Sequence, residues 1–476
     1  MIFNDINNIK NKEFHTIIIG SGPAGLTVAR KLEEKKISCL LIEAGPMKSS
    51  SISQEEYEGQ IIGDDYVEIS ASRLRQFGGT GNHWSGVCHP LEDHDFNKWP
   101  IKKKDLDIYI KETMEILDLN GNFNVSKFNE NFNIISTLQS KVKFGDKYYN
   151  LVKLSKYINL IPNCVVENLN VKNNELVSLD VYRDKIKHTL KSKFYVLACG
   201  AIENSRILLW NNYKHNIFNN SMPIGKFYHD HPTHEIGEGV LDLNQTYKYV
   251  YQNNLENFFD PKCDPWLYLA PNQNFVSKNL ILNNRIDIYY QRYKSAYDYS
   301  NKIYKRLVCA APNYIAKYLK EFPNQLPIKI ESHFEQDLDI NNKIELNFNQ
   351  RDKIGIPRVK LHWKRSEIIR KSSSKTLINL AEFFVKKNIG RLALKNYLFN
   401  NDIYKNTAGY HHMGGTCIGF SPRDSVVDKN LKVHDIKNFY VAGSSVFKTG
   451  GYANPTFTII QLSLRLGDYL SNINEI

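Results

Sequence analysis

The sequence predicts an α/β fold in which a parallel-stranded layer is interrupted by a largely antiparallel region. Buried runs that end in glycine turns occur at "HTIIIGSGPAG", "FYVLACGAIENSRILL" and "FYVAGSS". Such apolar runs are typical of strands that are covered on both faces of a parallel sheet. Between about residues 233 and 359 polar and apolar residues alternate more, as in "DKIGIPRVKLHWK". This alternation predicts a mostly antiparallel sheet with helical insertions.

The first element is a β-α-β unit that starts at Phe14. The strand "HTIII" ends in a glycine turn, the helical segment "LTVARKLEEKK" follows, and "ISCLLIEAG" forms a second buried strand. Gly20, Gly22 and Gly25 stand at the first strand-to-helix junction. Glycines at this spacing permit a tight turn, close approach of the backbone to a pyrophosphate, and close packing of the helix on the strand.

An acidic residue completes this pattern. Glu43 ends the second predicted strand, 18 residues beyond Gly25. A carboxylate at this place binds ribose hydroxyls and repels a 2′-phosphate, and the helix N-terminus binds phosphate. The unit is therefore predicted to bind a dinucleotide without a 2′-phosphate.

The remaining elements follow from local patterns. A helix is predicted from about Lys104, and two strands joined by an "NN" turn between about residues 165 and 180. The stretch "SEIIRKSSSKTLINLAEFFVKK" has helical spacing. Near the end of the chain Pro455 fits the first position of a helix, with Asn454 as its cap.

Composition and charge favour an ordinary globular protein. The formal net charge of +12 arises from lysines and arginines that are scattered along the chain, so we interpret it as solubilising charge and expect no nucleic-acid partner. None of the seven cysteines forms a CxxC pair, so neither a disulfide framework nor a zinc site is expected. The sequence shows no signal-peptide pattern and no apolar run of membrane-spanning length. A cytoplasmic location is expected.

The stretch "RQFGGTGNHWSG" (residues 75–86) combines a glycine-rich turn with a histidine. The glycines predict that the backbone lies close to another group. By itself, His83 is compatible with a metal ligand, a proton shuttle, a cofactor anchor or a packed side chain. "HDHP" at residues 229–232 also places two histidines around an acid, but we expect no metal there because few further ligand residues are close in sequence.

Together these motifs resemble the glucose-methanol-choline (GMC) family of flavin-dependent oxidoreductases. The resemblance runs in order from about Phe14 to Leu470 and is weakest between about Thr233 and Gln336. It rests on "GSGPAG...EAGP", "FGGTGNHWSGVCHPLEDHDF", "VLACGAIENSRILL", "IGKFYHDHP", "HHMGGTCIG" and "VAGSSVFKTGGYANPTFT". The chain looks most similar to a bacterial branch, in part sugar-active, with similarity to pyranose oxidases.

The resemblance implies a discontinuous Rossmann-type FAD-binding domain, and a substrate-binding domain built on a large, mostly antiparallel sheet. The FAD-binding domain is expected at residues 1–98, 150–232 and 408–476, and the substrate-binding domain at residues 99–149 and 233–407. The residues expected to contact FAD are Gly20, Gly22, Pro23, Ala24, Gly25, Glu43, Gly78, Gly79, Thr80, Asn82, His83, Trp84, Ser85, Val165, Gly200, Gly443, Ser444, Asn454, Pro455 and Thr456.

The same resemblance implies two catalytic residues. His412, three residues before the Gly415-Thr416 pair, matches the family's general base, and the neutral range of a histidine pKa suits that task. Asn454 matches the position that hydrogen-bonds the substrate oxygen. A packed or capping role is the alternative for each side chain, and the adjacent His411 is an alternative base.

The resemblance also narrows the reading of His83. In pyranose oxidases a histidine in a "GG..THW" segment binds FAD covalently, and His83 stands in the matching place. Asn82 precedes it where that branch has threonine. Relatives with "NHW" are expected to include proteins that bind FAD non-covalently. A covalent link and a non-covalent contact therefore both stay open.

The implied activity is oxidation of a CH–OH group, in a sugar, glycoside or other polyol, by hydride transfer to flavin. The electron acceptor is oxygen, a quinone or another carrier. The alternatives are a non-redox lyase or light-driven decarboxylase on the same scaffold, and a flavin-holding binding protein. Only the first activity predicts bleaching of the flavin by an alcohol in the dark without oxygen.

Overall fold

Short strands and helices alternate along the chain in the computed structural model, which describes residues 1–9, 12–256, 258, 266–290, 325–399 and 407–473. The strands are β1 (Phe14–Ile19), β2 (Cys39–Ile42), β3 (Gly59–Gly63), β4 (Val87–Cys88), β5 (Val125–Lys127), β6 (Phe132–Ile135), β7 (Leu138–Gln139), β8 (Ile158–Ile161), β9 (Val165–Lys172), β10 (Glu175–Arg183), β11 (Ile186–Leu190), β12 (Ser192–Leu197), β13 (Pro232–Asp242), β14 (Trp266–Pro271), β15 (Asn284–Tyr290), β16 (Gln325–Phe334), β17 (Lys343–Arg351), β18 (Pro357–Trp363), β19 (Gly390–Leu394), β20 (Thr407–Ala408) and β21 (Phe439–Val441). The helices are α1 (Pro23–Glu34), α2 (Ser51–Gln54), α3 (Lys104–Asp107), α4 (Ile110–Ile116), α5 (Phe144–Leu154), α6 (Gly200–His215), α7 (Leu243–Gln252), α8 (Gln273–Asn279), α9 (Glu367–Lys386) and α10 (Thr456–Asn472).

A parallel sheet forms the nucleotide-binding layer that the sequence predicts. Its five strands lie in the order β21-β12-β1-β2-β8, and every neighbouring pair is parallel. The central strands β1, β2 and β12 are almost entirely buried. Helix α1 packs on β1 and β2, and the antiparallel sheet β11-β10-β9 contacts β12 and adds apolar residues to the same core. Helix α10 packs on α1, where a Cβ on Gly467 would lie 2.6 Å from the Lys31 side chain. The end of the chain thus returns to the layer that its beginning forms.

A large antiparallel sheet forms the second layer. Its path is β19-β13-β16-β15-β14-β6-β5, with β20 beside β13, and every pairing is antiparallel. Apolar residues of this sheet, including Ile330, pack against Leu377 and Phe384 of α9. The predicted fold class, a Rossmann-type unit with a large, mostly antiparallel sheet, is confirmed.

A third sheet departs from the predicted pattern. The stretch "DKIGIPRVKLHWK" lies in the hairpin β17–β18, which pairs with β3 in parallel through β18 and does not join the large sheet. Val359, Leu361 and Trp363 on one face of β18 pack on Ile202 of α6. Burial of this face against α6 explains why the hairpin belongs to a separate sheet.

Two local predictions at helix ends need correction. The helix expected from Lys104 is divided into α3 and α4, because the Leu106 carbonyl accepts hydrogen bonds from the Tyr109 N–H and from Gln461 Nε2. Helix α10 begins at Thr456 with Pro455 as its N-cap, so Asn454 is not the capping residue. The two strands joined by "NN" are confirmed as β9 and β10.

The positions of the strands can be compared with the domain division expected from the sequence. Strands of the parallel sheet come from residues 14–19, 39–42, 158–161, 192–197 and 439–441. The β3–β18 pair joins residues from both sides of the proposed boundary. None of the helices in the described ranges is long and apolar enough to cross a bilayer.

Candidate functional site

A cleft of about 620 Å³ opens at the carboxyl ends of the parallel strands. Residues that follow β1, β2, β12 and β21 line it, namely Gly20, Glu43, Cys199 and Gly443. Ligands of open α/β sheets bind outside this edge, and the volume is in the range of cofactor sites. We refer to this cavity as the cleft.

Three helix N-termini meet at the cleft. The N-cap residues Gly22 of α1, Cys199 of α6 and Pro455 of α10 all line it. In these three described helices, the side chain of the N-cap residue makes no hydrogen bond to the N–H groups of the first turn. Their free N–H groups and dipoles make the cleft a favourable place for the phosphates of an anionic ligand.

The first glycine turn leaves the backbone exposed to the cleft. Gly20 has φ +102°, and a Cβ there would lie 2.5 Å from the Ala198 carbonyl oxygen. A Cβ on Gly25 would lie 2.0 Å from the Gly20 carbonyl oxygen, so Gly25 allows α1 to pack on the turn from behind. A Cβ on Gly22 would meet no atom within 4 Å, because this position faces open space.

Glu43 lies buried on the cleft wall at the end of β2. Its carboxylate accepts hydrogen bonds from the Ser21 N–H (3.1 Å), the Ser21 hydroxyl (2.7 Å) and the Gly45 N–H (2.8 Å). Burial raises the pKa of Glu43, and these hydrogen bonds oppose the shift. The carboxyl group is therefore held in one position at the place where a ribose is predicted.

The "RQFGGTGNHWSG" stretch forms a tight turn against the first glycine turn. Gly78 and Gly79 have φ +85° and +51°, and a Cβ on Gly79 would lie 3.1 Å from Gly22 Cα. Asn82 donates to the Phe77 carbonyl (2.8 Å) and accepts from the Gly145 N–H (2.7 Å). The two glycine turns thus build one continuous wall, and the Asn82 side chain fastens the second turn to α5.

His83, Trp84 and Ser85 leave this turn along the cleft wall. Trp84 Nε1 donates to the Val142 carbonyl at 2.9 Å, which fixes the indole. Burial, with a smaller contribution from Lys143, lowers the pKa of His83. Its imidazole is therefore neutral at pH 7.

His412 lies on the same wall and is surrounded by hydroxyl groups. Its Nδ1 is 2.6 Å from the Tyr228 hydroxyl and 3.3 Å from the Tyr66 hydroxyl, and its Nε2 is 3.0 Å from Ser72 Oγ. Burial and the nearby Arg73 lower the pKa of His412 to about 3. The ring is neutral at pH 7 and is able to accept a proton.

Asn454 is oriented by a buried ion pair. Arg285 Nη1 lies 3.4 Å from Asn454 Oδ1, and the same guanidinium binds both carboxylate oxygens of Asp287. Because a guanidinium only donates, the amide oxygen of Asn454 faces Arg285 and its NH₂ group faces Ser85 Oγ at 3.5 Å. Asn454 therefore presents a donor where Ser85 lines the cleft.

His411 belongs to a second histidine pair. Its Nδ1 lies 2.9 Å from Nδ1 of His231, and burial lowers the pKa of both rings. The "HDHP" segment supplies His229, Asp230 and His231, yet the described residues contain no group of three potential ligands that would hold a metal.

A series of ion pairs on the cleft wall was not predicted from the sequence. Arg73 binds Glu203 at 2.9 Å, Glu203 binds Arg206 at 3.2 Å, and Arg206 binds Asp352 at 2.6 Å. All four residues line the cleft. Arg73 in "SASRLRQ" and Glu203 in "AIENSR" lie next to recognised motifs, but nothing in their local pattern indicates that they pair.

Most residues expected to contact the cofactor line the cleft. Three do not: Gly25 supports the first turn, and Gly78 and Asn82 shape the second turn from behind. The catalytic candidates His412 and Asn454 both line it, as does His411. Residues with cleft contacts that the sequence-based prediction missed include Ser21, Tyr57, Ser72, Arg73, Glu203 and Tyr410.

Two family models match the chain. The GMC oxidoreductase model matches residues 341–463, and the model of an NAD(P)-binding Rossmann-like domain matches residues 18–87. The second match contains the last two residues of β1, the first glycine turn, β2 and the "RQFGGTGNHWSG" stretch. The first match contains β21, so each model matches part of the parallel sheet.

Two curated dehydrogenases are similar over part of their length. The fructose dehydrogenase large subunit of Gluconobacter japonicus is 25% identical over 324 residues, which are 66% of this chain and 54% of that protein. The 2-methyl-1,2-propanediol dehydrogenase of Mycolicibacterium austroafricanum is 30% identical over 141 residues, 29% of this chain and 24% of that protein. The chain thus spans about half of the first relative and about a quarter of the second.

Solved structures share the fold over nearly the whole chain. A pyridoxine 4-oxidase from "Mesorbium loti" has a TM-score of 0.59 at 12% identity, covering 96% of this chain and 99% of that one. A formate oxidase has a TM-score of 0.57 at 13% identity, with 98% and 99% covered. At these identities the likeness shows the fold alone.

The parallel sheet with its glycine-lined cleft, together with a large antiparallel sheet, defines a dinucleotide-binding α/β fold. Within that class, the matched models and relatives support a GMC-family oxidoreductase. The same findings support FAD as the cofactor.

Proposed function

We propose that this protein is an FAD-dependent enzyme that oxidises a CH–OH group, in a sugar, glycoside or other polyol, to a carbonyl. The observation that carries the proposal is the presence of His412 and Asn454 on the wall of one cleft whose other walls are glycine turns and helix N-termini. The similar dehydrogenases named for fructose and for a diol support the substrate class.

The residues of the cleft fit FAD. The two glycine turns and the N-termini of α1, α6 and α10 would hold the pyrophosphate, and Glu43 would bind the ribose. FAD bound there would supply the acceptor for the hydride of the alcohol. His83, Trp84 and Ser85 would lie along the ring system, with His83 as its anchor.

His412 and Asn454 share the chemistry at the substrate hydroxyl. The neutral His412 ring removes the hydroxyl proton, and the NH₂ group of Asn454 donates a hydrogen bond to the oxygen as negative charge develops on it. Arg285 keeps the Asn454 amide in the orientation that this donation requires. With FAD bound, oxygen, a quinone or another carrier would serve as the electron acceptor.

The domain division also belongs to this proposal. Residues 1–98, 150–232 and 408–476 would form the FAD-binding domain, and residues 99–149 and 233–407 the substrate-binding domain. Strands of the parallel sheet within the first set and strands of the large sheet within the second support this division.

The experiment is anaerobic reduction of the flavin in the dark by a panel of sugars and polyols, followed by addition of oxygen or a quinone. We expect His412→Ala to lower the limiting rate of flavin reduction by about 10²–10⁴-fold, the usual contribution of a general base. Asn454→Asp keeps an acceptor for Arg285 but removes the donor, so the rate falls by about 10²–10³-fold.

Matched controls separate these losses from damage to the fold. His188→Ala changes a histidine on β11, outside the cleft, and should reduce flavin at the wild-type rate. A wild-type rate in His412→Ala together with a loss in His411→Ala would assign the base to His411. Absence of bleaching by every alcohol in the panel would contradict the proposed activity.

A further inference from the structure

A chain of hydroxyl groups connects His412 with a buried carboxylate. His412 Nδ1 lies 2.6 Å from the Tyr228 hydroxyl, which lies 2.9 Å from the Tyr66 hydroxyl. Tyr66 in turn donates to Asp230 Oδ2 at 2.5 Å. Tyr66 follows β3, whereas Tyr228 and Asp230 precede β13, so these hydrogen bonds form only in the folded protein.

Asp230 is a fixed end point of this chain. It is fully buried, and its other oxygen, Oδ1, accepts the backbone N–H groups of His231 (2.6 Å) and His411 (2.8 Å). Burial raises the pKa of Asp230 to about 6, against the effect of these hydrogen bonds. Tyr66 and Tyr228 keep their hydroxyl protons at neutral pH, because burial raises the pKa of both well above its usual value.

Proton counting gives this chain a direction. An ionised Asp230 only accepts, so Tyr66 donates to it and Tyr228 must donate to Tyr66. The Tyr228 oxygen is then left to accept, and the proton between it and His412 comes from Nδ1. His412 Nε2 therefore carries a lone pair.

Ser72 is able to complete this arrangement. It lies 3.0 Å from His412 Nε2 and also 3.0 Å from the Ile69 carbonyl. The one proton of the Ser72 hydroxyl goes either to the Ile69 carbonyl or to Nε2. Because the Ile69 carbonyl also accepts from Arg73 Nε at 3.2 Å, donation from Ser72 to Nε2 leaves that carbonyl hydrogen-bonded. Were Nε2 to carry the proton instead, the 2.9 Å contact between the two tyrosine oxygens would lack one.

The direction reverses when Asp230 gains a proton. Protonated Asp230 donates to Tyr66, Tyr66 to Tyr228, and Tyr228 to His412 Nδ1. The ring then keeps its proton on Nε2. The second state therefore holds one proton more than the first, and its ring proton lies on Nε2 instead of Nδ1.

Nε2 is the ring nitrogen on the side of the cleft. Ser72, its partner, lines the cleft, whereas Tyr66 and Tyr228, the partners of Nδ1, are not among the residues that line it. A substrate hydroxyl in the cleft would thus approach Nε2 and displace the hydrogen bond from Ser72.

We propose that Tyr228, Tyr66 and Asp230 are positioning residues that hold His412 in the Nδ1–H tautomer, with Nε2 free as the base, and that carry its excess proton to Asp230. This inference rests on the proposed function and deepens it. When Nε2 takes the hydroxyl proton, Nδ1 passes its proton to Tyr228, Tyr228 to Tyr66, and Tyr66 to the carboxylate. Each tyrosine oxygen gains one proton and loses one, the Asp230 carboxylate gains one, and the imidazole remains neutral.

The relay explains how a ring with so low a pKa serves as a base. A buried imidazolium beside Arg73 is unfavourable, and the relay avoids it by moving the charge change to Asp230. Arg73 is the fixed positive charge that acts on His412 and on Tyr228, and it is itself paired with Glu203. The other titratable groups at this end, His411 and His231, have strongly lowered pKa values and stay neutral.

The test is ¹⁵N NMR of the holoprotein labelled in histidine, which reports the protonated nitrogen of each ring without any substrate. The His412 signals are those that His412→Ala removes. For the wild type we expect a proton-free Nε2 at pH 8, and a proton on Nε2 below about pH 6, where Asp230 is protonated.

Two variants reverse or cut the relay. In Asp230→Asn the amide oxygen keeps the backbone contacts, and the NH₂ group donates to Tyr66, so Nε2 carries the proton at both pH values. In Tyr66→Phe the Tyr228 hydroxyl loses its tyrosine acceptor and donates to His412 Nδ1, so Nε2 again carries the proton. Tyr195→Phe, a buried tyrosine in β12, serves as the matched control and should behave as the wild type.

The outcomes separate the relay from the proposed activity. A proton on Nε2 of the wild type at pH 8, or an unchanged tautomer in either variant, would overturn the relay whatever the alcohol panel shows. If no alcohol bleaches the flavin, the activity fails while the tautomer result still decides the relay. With a reducing alcohol, Asp230→Asn should lower the limiting rate about a hundredfold or more and remove its fall below about pH 6.

Discussion

His83 faces the cleft with its ring nitrogens free of hydrogen bonds to any described residue. The backbone N–H of His83 is bound to the Thr80 carbonyl at 3.1 Å, so the turn fixes where the ring starts. A neutral, half-buried imidazole at this place suits contact with the ring system of FAD. We expect the contact to be non-covalent, because asparagine stands at position 82 where the covalent branch has threonine.

Acid precipitation of the holoprotein tests this contact. We expect the yellow colour to pass into the supernatant, and we expect His83→Ala to retain less FAD after gel filtration than the wild type. Colour that stays in the pellet of the wild type and leaves that of His83→Ala would instead assign a covalent bond at His83. Trp84→Phe is a suitable comparison, since it changes the neighbouring ring and keeps His83.

At the scale of elements, the two glycine turns depend on each other. Gly79 has φ +51°, and a side chain there would press on Gly22 at the N-terminus of α1. We expect Gly79→Ala to lower the free energy of unfolding by about 1–2 kcal/mol, the usual cost of left-handed backbone for a non-glycine residue. It should also weaken FAD retention, because the cradle for the pyrophosphate is displaced.

Gly355→Ala is the matched control for Gly79→Ala. Gly355 has φ +86°, but a Cβ there meets no atom within 4 Å. Both variants therefore carry a similar backbone cost, and only Gly79→Ala disturbs the other turn. Chemical denaturation and FAD titration of the two variants measure the two effects, and equal FAD affinities would contradict the coupling of the turns.

Elements with strong local signals were predictable from sequence. The runs that became β1, α1, β2, β12 and α6 carry buried-strand or helical periodicity and glycines at their junctions. The pairing of β3 with β18 was not predictable, because almost 300 residues separate the two strands and neither carries a signal for the other. The sequence-based prediction placed the N-cap of α10 one residue too early. The local pattern does not show that the Asn454 side chain accepts a hydrogen bond from Arg285.

The same distinction holds for the candidate site. The glycine turns, Glu43, His412 and Asn454 stand in motifs whose residues are close in sequence. The partners of His412 do not: Tyr66 and Tyr228 lie 346 and 184 residues from it and meet it only through the fold. Chains of hydrogen bonds and ion pairs of this kind require tertiary structure to be seen.

At the scale of the whole molecule, buried carboxyl groups join distant segments with opposite effects on stability. Glu203 links α6 to Arg73, and although burial alone would raise its pKa, Arg206 and Arg73 bring the pKa of Glu203 below its usual value. Glu335, which follows β16, is half-buried, and its burial together with the charge of Asp95 raises the pKa of Glu335 to about 8. Burial likewise raises the pKa of Asp95 to about 6.

The Glu335–Asp95 pair predicts how stability depends on pH. A raised folded-state pKa means that folded Glu335 keeps its proton at pH 7, whereas the unfolded residue is ionised. This group therefore contributes stability that is fully present below about pH 4.5, the usual pKa of glutamate, and lost as the pH rises towards 8. Glu335→Gln, always neutral, should raise Tm above that of the wild type at pH 8, and the difference should shrink as the pH falls to 4.5.

Glu203→Gln is the control of opposite sign, because a lowered pKa contributes stability above about pH 4.5 that is lost on acidification. It should lower Tm at pH 7, since Arg73 then lacks its charged partner. Thermal unfolding across this pH range decides the matter: a Glu335→Gln curve parallel to that of the wild type would show that Glu335 is ionised in the folded protein.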